Sequence, residues 1–159
     1  MIQLTMITVG TLKETYLKDA VAEYKKRLLQ YAKIDDICIK EVAIKNEDDR
    51  TEIRRALDAE GEKILASIPD GAYTVALCVE GKQFDSVELA SILSDASGRS
   101  GKLALIIGSS HGLSDSVKSA ADLRLSVSKM TFPHQLMRVI LLEGIYRSFT
   151  ITAGKRYHK

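Results

Sequence analysis

The sequence has no tryptophan, only two cysteines and two prolines, and no apolar run long enough to span a bilayer. Cys38 and Cys78 lie far apart in apolar stretches, which excludes a disulfide framework or a metal knuckle and predicts buried, reduced thiols. No proline-rich, repetitive or low-complexity stretch divides the chain. We therefore expect a single domain over residues 1–159.

The opening residues also lack the features of a targeting segment. Residues 1–9 have no basic head, no long apolar core and no cleavage site, so we interpret them as a strand and not as a secretion sequence. Together with the reduced cysteines, this favours a protein of the cytoplasm. No second histidine, cysteine or carboxylate stands at ligand spacing from His134, and we expect no metal site.

Positive charge is concentrated towards the C-terminal end. The whole chain has a formal net charge of +2. Residues 129–159 contain six basic residues and one acidic residue, a net charge of +5, which leaves −3 for residues 1–128. Such asymmetry is typical of proteins with a polyanionic partner such as nucleic acid, although a merely solvated face is an open alternative.

Apolar patterning alternates between strands and helices along the chain. It predicts strands over residues 2–9, 34–44, 73–79, 103–107 and 123–127. It predicts helices over 14–32 and 47–68, a helix opened by the capping box Asp85–Glu88, a short helix capped by Ser114, and a last helix from Pro133 to Phe149. Strands that alternate with helices are joined by crossovers. The expected fold class is therefore α/β, with a mostly parallel five-stranded sheet flanked by helices.

Two helices have unusual composition. Gly61 lies inside the second long helix, where alanine would be more stable by about 1 kcal/mol. The last helix has apolar residues on more than one face: Leu136, Met137, Val139, Ile140, Leu141, Leu142, Ile145 and Phe149. A helix of this kind must be covered on most sides, so we expect a homodimer in which a second subunit covers one of them.

The loop that follows the most apolar strand is a candidate binding site. Ligands of open α/β sheets bind beyond the carboxyl ends of the strands, and the glycines of residues 108–112 would let a planar ligand approach the backbone. An ordinary turn is the alternative. The same residues match the nucleophile elbow G-x-S-x-G, with Ser110 as nucleophile and, downstream, Asp115 or Asp122 and His134 or His158. Residues 112–114 intervene before the next helix, which disfavours a serine hydrolase.

Two further segments combine polar, aromatic and cationic residues. Residues 126–135 lead into the last helix, and we expect His134 to form a hydrogen bond at that helix start. In residues 154–159, Tyr157 and His158 stand among cations. Aromatic and basic side chains together hold splayed-out RNA bases, so this tail is a candidate RNA clamp, with a frayed tail as the alternative.

Several segments resemble the SPOUT methyltransferases. The resemblance is carried by Val9–Gly10, by residues 105–108 and 112–113, and most specifically by residues 125–126 and 128–138, Leu-Ser and Ser-Lys-Met-Thr-Phe-Pro-His-Gln-Leu-Met-Arg. It continues through residues 142–143, 145–147 and 157–159 and so extends over essentially the whole chain. Ser109, Gly144 and Arg156 depart from the family pattern, which has glycine, glutamine and proline there.

The resemblance implies a fold, a cofactor and a substrate. The implied fold is a SPOUT fold with a C-terminal trefoil knot, in an obligate homodimer with the active site at the interface. The implied cofactor is S-adenosylmethionine, bound by Leu77, Gly108, Val127, Ser128, Lys129, Met130, Thr131 and Phe132. The implied reaction is methylation of N3 of pseudouridine 1915 in helix 69 of 23S ribosomal RNA, on the assembled 70S ribosome.

The implied mechanism is an in-line displacement at the methyl group of a sulfonium, to which a protein contributes mainly by positioning the two reactants. Because N3 must lose its proton, His158 is our candidate for proton handling. Arg138, Arg147 and Tyr157 are the other catalytic candidates, positioning the base and a phosphate. A ribosome-binding module without activity is an open alternative.

Overall fold

The computed structural model describes all of residues 1–159. Ten elements alternate along the chain: β1 (Ile2–Val9), α1 (Thr15–Leu28), β2 (Ala32–Ile39), α2 (Arg50–Ser67), β3 (Tyr73–Lys82), α3 (Ser86–Ser100), β4 (Lys102–Ile107), α4 (Asp115–Ala120), β5 (Leu123–Leu125) and α5 (His134–Thr152). The strands form one sheet in the order β2-β1-β4-β3-β5. Every pairing is parallel. The predicted α/β fold with a five-stranded parallel sheet is confirmed.

Helices cover both faces of the sheet. On one face, α1, α3 and α5 pack against Leu4, Met6 and Leu105. On the other face, α2 and α4 pack against Ile7 and Ile106. Successive residues of β1 and β4 therefore enter opposite cores, which explains why both strands are continuous apolar runs in the sequence.

The second strand is shorter than predicted. The apolar pattern predicts a strand over residues 34–44, but β2 ends at Ile39. Its one partner is β1, whose last residue, Val9, lies opposite Ile39. Gly10 then turns the chain with a φ of 76°. Beyond this point the backbone has a different partner, because the N–H of Val42 donates to the buried carboxylate of Glu60 at 2.9 Å.

The predicted helix starts are largely confirmed. Asp85 and Glu88 form the complete capping box of α3. The hydroxyl of Ser114 accepts the N–H of Val117 at the start of α4. Pro133 lies immediately before α5 and not within its first turn.

One of the two thiols is more exposed than predicted. Both cysteines are free, but Cys38 is exposed and Cys78 is half-buried. The prediction of a buried thiol at Cys38 is wrong because consecutive strand residues point to opposite faces, and in β2 the buried face is taken by Ile39.

α5 is only partly covered within one chain. Leu141, Leu142 and Ile145 are buried against the sheet, whereas Leu136 and Ile140 are half-buried. No helix of this protein, α5 included, has the length and apolarity needed to cross a membrane.

Gly61 lies where α2 crosses α4. A Cβ at this position would lie 2.3 Å from Oγ of Ser114 and 3.3 Å from Cγ2 of Val117. Because the Ser114 hydroxyl caps α4, it cannot move without loss of the cap. We therefore expect Gly61→Ala to lower the free energy of unfolding by about 1–3 kcal/mol, the opposite sign from helix propensity alone.

Urea unfolding followed by circular dichroism measures this change. Gly98→Ala is the matched control, because Gly98 is an exposed residue of α3 and a Cβ added there would have nothing within 4 Å. The free energy of unfolding of that variant should rise by up to about 1 kcal/mol. Equal stabilisation by both substitutions would contradict the close crossing of α2 and α4.

Candidate active site

A cavity of about 530 Å³ opens at the carboxyl ends of β3, β4 and β5. Three chain segments form most of its wall: residues 77–80 of β3, residues 107–113 after β4, and residues 126–134 except Lys129. Lys118 and Met137 complete the lining. The volume and the position beyond the strand ends are those of a small-molecule site in a parallel sheet.

The loop after β4 is a tight turn that only glycine permits. The N–H of Gly112 donates to the carbonyl of Ser109 at 2.9 Å, and Gly112 has a φ of 89°. A Cβ on Gly108 would lie 2.1 Å from the carbonyl oxygen of Gly112. Ser109 is buried, and its hydroxyl accepts the N–H of His111 at 3.4 Å. The loop therefore presents backbone to the cavity at Gly108.

The segment after β5 is held by its own hydroxyl groups. β5 ends at Leu125, two residues before the predicted end, although the N–H of Ser126 still donates to the carbonyl of Lys82 at 2.9 Å. The Ser126 hydroxyl donates to the carbonyl of Ser128 at 3.1 Å. The Ser128 hydroxyl accepts the N–H of Met130 at 3.0 Å. These bonds shape the segment into one wall of the cavity.

The structure brings together most of the predicted cofactor residues. Seven of the eight line the cavity: Leu77, Gly108, Val127, Ser128, Met130, Thr131 and Phe132. Lys129 is exposed and is not part of the lining. Two α5 residues that the sequence did not assign to a ligand site, His134 and Met137, also line the cavity. They reach the cavity because α5 begins directly after the segment that follows β5.

The first turns of α5 are tied to the end of β1. Nη2 of Arg138 donates to the carbonyl oxygens of Val9 at 2.9 Å and Gly10 at 2.8 Å. The N–H of Lys13 donates to the side-chain oxygen of Gln135 at 3.1 Å. Arg138 is 5% exposed, and its Nε has no partner. The structure therefore places Arg138 beneath α5 and not in the cavity.

Glu143 of α5 binds side chains near the end of the chain. Its carboxylate accepts hydrogen bonds from Arg147 at 2.5 and 2.8 Å and from the hydroxyl of Tyr157 at 2.8 Å. The Arg147 guanidinium lies 4.8 Å from the Tyr157 ring centroid, and its Nη1 lies 3.5 Å from Nδ1 of His158. We call Glu143, Arg147, Tyr157 and His158 the tail cluster. Sequence reasoning missed Glu143, although its i,i+4 spacing from Arg147 indicates the pair.

The tail cluster and the cavity are separate within one chain. Arg147 follows His134 by 13 residues, which corresponds to about 20 Å along a helix. No member of the tail cluster lines the cavity. The predicted catalytic residues thus fall in two places, with Arg138 beneath the start of α5 and the other three near its end.

The geometry of a serine hydrolase is not formed. The hydroxyl of Ser110 makes no hydrogen bond with His134 or His158, and no non-glycine residue has a positive φ. The strained serine turn and the serine-to-base contact that this chemistry needs are therefore missing. No group of three or more histidine, cysteine, aspartate or glutamate side chains is arranged to hold a metal ion.

Comparison with known proteins assigns the chain to a family. The family model described as "Predicted SPOUT methyltransferase" matches residues 2–158. The chain belongs to the SPOUT methyltransferase family. It is 46% identical over 157 residues to ribosomal RNA large subunit methyltransferase H of Clostridium acetobutylicum, covering 98% of this chain and 99% of that protein. A protein of the same name from Bifidobacterium adolescentis is 49% identical over 162 residues, covering 99% of both chains.

A solved structure shares the fold of this SPOUT methyltransferase. The tRNA (m1G37) methyltransferase from Aquifex aeolicus superposes with a TM-score of 0.54 at 14% identity, covering 91% of this chain and 69% of that chain. At this identity the likeness concerns the fold alone. The SPOUT fold expected from residues 125–138 is confirmed, while the trefoil knot stays a prediction.

Proposed function

We propose that this SPOUT methyltransferase binds S-adenosylmethionine in the cavity and methylates large-subunit ribosomal RNA. The observation that carries the proposal is the cavity itself, in which the backbone of the Gly108 loop and the segment after β5 face one another across the carboxyl ends of three strands. The substrate class comes from the name that its relatives share.

The lining of the cavity fits the parts of this cofactor. Backbone at Gly108 and the apolar side chains of Leu77 and Phe132 would hold a flat adenine. The hydroxyl of Thr131 would bind ribose, and the carboxylate of Glu80 would face the ammonium group. When bound, the cofactor supplies an electrophilic methyl group on its sulfonium.

We further propose that the methylated atom is N3 of a pseudouridine in helix 69 of 23S ribosomal RNA, on the assembled 70S ribosome in the cytoplasm. This rests on the resemblance of residues 125–138 and on the cationic chain end. Lys155, Arg156 and Lys159 would neutralise phosphates, and Tyr157 offers an aromatic face for a base.

A homodimer is proposed because one chain keeps the cavity and the tail cluster apart. A second copy that covers the half-buried side of α5, at Leu136 and Ile140, would remove an exposed apolar surface from water. It would also supply a tail cluster from the partner to the cavity, which a single chain cannot do over about 20 Å.

Transfer of a radiolabelled methyl group from S-adenosylmethionine tests the proposal. Ribosomes that lack the modification are offered as 70S particles, free 50S subunits and naked 23S RNA. We expect label in the 23S RNA of 70S particles and much less in naked RNA. A folded protein that labels none of the three would overturn the enzymatic proposal and favour a ribosome-binding module.

A further inference from the structure

We propose that His134 is a catalytic residue of this enzyme and that its imidazole takes the proton from N3 of the target base. The inference rests on the proposed function. As the N3–H bond breaks, the proton passes to a ring nitrogen of His134, and the N3 electron pair forms the new bond to the methyl carbon. The carbon–sulfur bond breaks with its electrons left on sulfur. The imidazolium then releases its proton to solvent.

His134 has the position that this role needs. It is the first residue of α5 and lines the cavity together with Phe132 and Met137. The hydrogen bond expected from it at the helix start is absent, since α5 has no side-chain cap and the ring nitrogens have no partner within the chain. A half-buried imidazole with both nitrogens unpaired therefore borders the space in which methyl transfer takes place.

The surroundings of this imidazole favour its neutral form. Burial and then Arg138 on the next turn of α5 lower the pKa of His134 below its ordinary value of 6.5. Glu41 of the β2–α2 loop partly opposes them, and Lys13 of the β1–α1 loop has a smaller lowering effect. The positive end of the α5 dipole also disfavours a cation at this position. A lowered pKa favours the base form of His134 at neutral pH, as general base catalysis requires.

The other ionisable groups near the site lie beside charged partners. His111 lines the cavity, but its Nε2 lies 3.9 Å from the carboxylate of Glu47. Glu80 is held at 2.5 Å by Lys118, which lowers the pKa of its carboxyl group. His158 lies beside the Arg147 guanidinium and outside the cavity of its own chain. Within one chain, His134 is the one histidine of the cavity that has no hydrogen bond and no ion pair.

Substitution of His134 distinguishes a role in proton transfer from a role in positioning. His134→Gln keeps a hydrogen-bond acceptor but cannot take up a proton. Single-turnover methyl transfer to 70S ribosomes is followed from about pH 5 to about pH 9, with His111→Gln and His158→Gln as matched controls. Calorimetry gives the Kd for S-adenosylmethionine, and thermal unfolding gives the Tm of each variant.

We expect His134→Gln to lower the transfer rate by about 10²–10⁴-fold with the Kd and Tm close to wild type. The wild-type rate should fall on the acid side with a midpoint below 6.5, because protonation removes the base. The glutamine variant should lose this acid limb and rise steadily with pH, because hydroxide must then take the proton. His111→Gln should keep the limb.

Three results would overturn the assignment. One is a His134→Gln enzyme within about two-fold of wild type that keeps its acid limb. Another is a variant that loses cofactor binding while its pH profile stays unchanged, which would make His134 a positioning residue; His134→Asn repeats the test if glutamine unfolds the protein. The third is loss of the limb in His158→Gln alone. If the wild-type protein itself methylates no substrate, the proposed function is wrong, whatever the His134 variants do.

Discussion

Gly108→Ala is expected to abolish methyl transfer and to weaken S-adenosylmethionine binding by about 100-fold. A Cβ at this position would lie 2.1 Å from the carbonyl oxygen of Gly112 and 3.0 Å from a methyl group of Leu113. A backbone oxygen cannot turn aside as a flexible side chain can. The turn at residues 108–112 must therefore open, and its displacement changes the cavity wall against which we propose that the cofactor lies.

Equilibrium dialysis with labelled cofactor measures the loss of binding, and circular dichroism establishes that the sheet is retained. Gly98→Ala serves again as the matched control, because the same methyl group is added on an exposed helical surface. It should bind the cofactor as wild type does. Wild-type affinity in a folded Gly108→Ala protein would show that the cofactor does not lie against this turn.

Replacement of Arg138 by methionine is expected to lower the free energy of unfolding by about 2–4 kcal/mol. The guanidinium is buried and donates to the carbonyl oxygens of Val9 and Gly10, where β1 ends. Methionine fills similar space but removes both of these hydrogen bonds, which leaves Gly10 with only the weak thiol donor of Cys38 at 3.3 Å. The loss of a hydrogen bond to a buried acceptor is destabilising by about 1–3 kcal/mol. Denaturant unfolding with a fluorescent dye or circular dichroism measures the change.

Arg147→Met is the matched control for this substitution. Arg147 lies nearer the other end of α5, and its ion pair with Glu143 is partly exposed, so its loss should change stability by less than about 1 kcal/mol. If the tail cluster holds RNA, the same variant loses methyl transfer while it stays folded. Equal stability of the Arg138→Met protein and wild type would contradict the buried role that the structure gives to Arg138.

The sheet was predictable because its strands are read from a local pattern. β4 is apolar at almost every position, and a strand buried on both faces has that pattern whatever its neighbours are. The capping box of Asp85 and Glu88 is likewise a local arrangement, and it formed as expected. The end of β2 was not predictable in this way. β2 ends at Ile39 because its partner strand β1 ends at the paired residue, Val9.

The candidate site was predictable in part. The family resemblance, which extends over essentially the whole chain, implied eight cofactor residues, and seven of them line one cavity. The separation of the tail cluster from that cavity depends on the length of α5 as an unbroken helix and could not be read from residue types. The environment of His134 was equally hidden, because Lys13 and Glu41 approach it from distant loops.

The position of the transferred methyl group in the RNA identifies the nucleotide that the protein modifies. Modification-free 70S ribosomes are incubated with the protein and with S-adenosylmethionine that carries a deuterated methyl group, and nucleosides from helix 69 are then analysed by mass spectrometry. We predict the deuterated methyl group at N3 of one pseudouridine with wild-type protein and none with Gly108→Ala. A deuterated methyl group on another nucleotide, or on none although the cofactor is bound, would contradict the account.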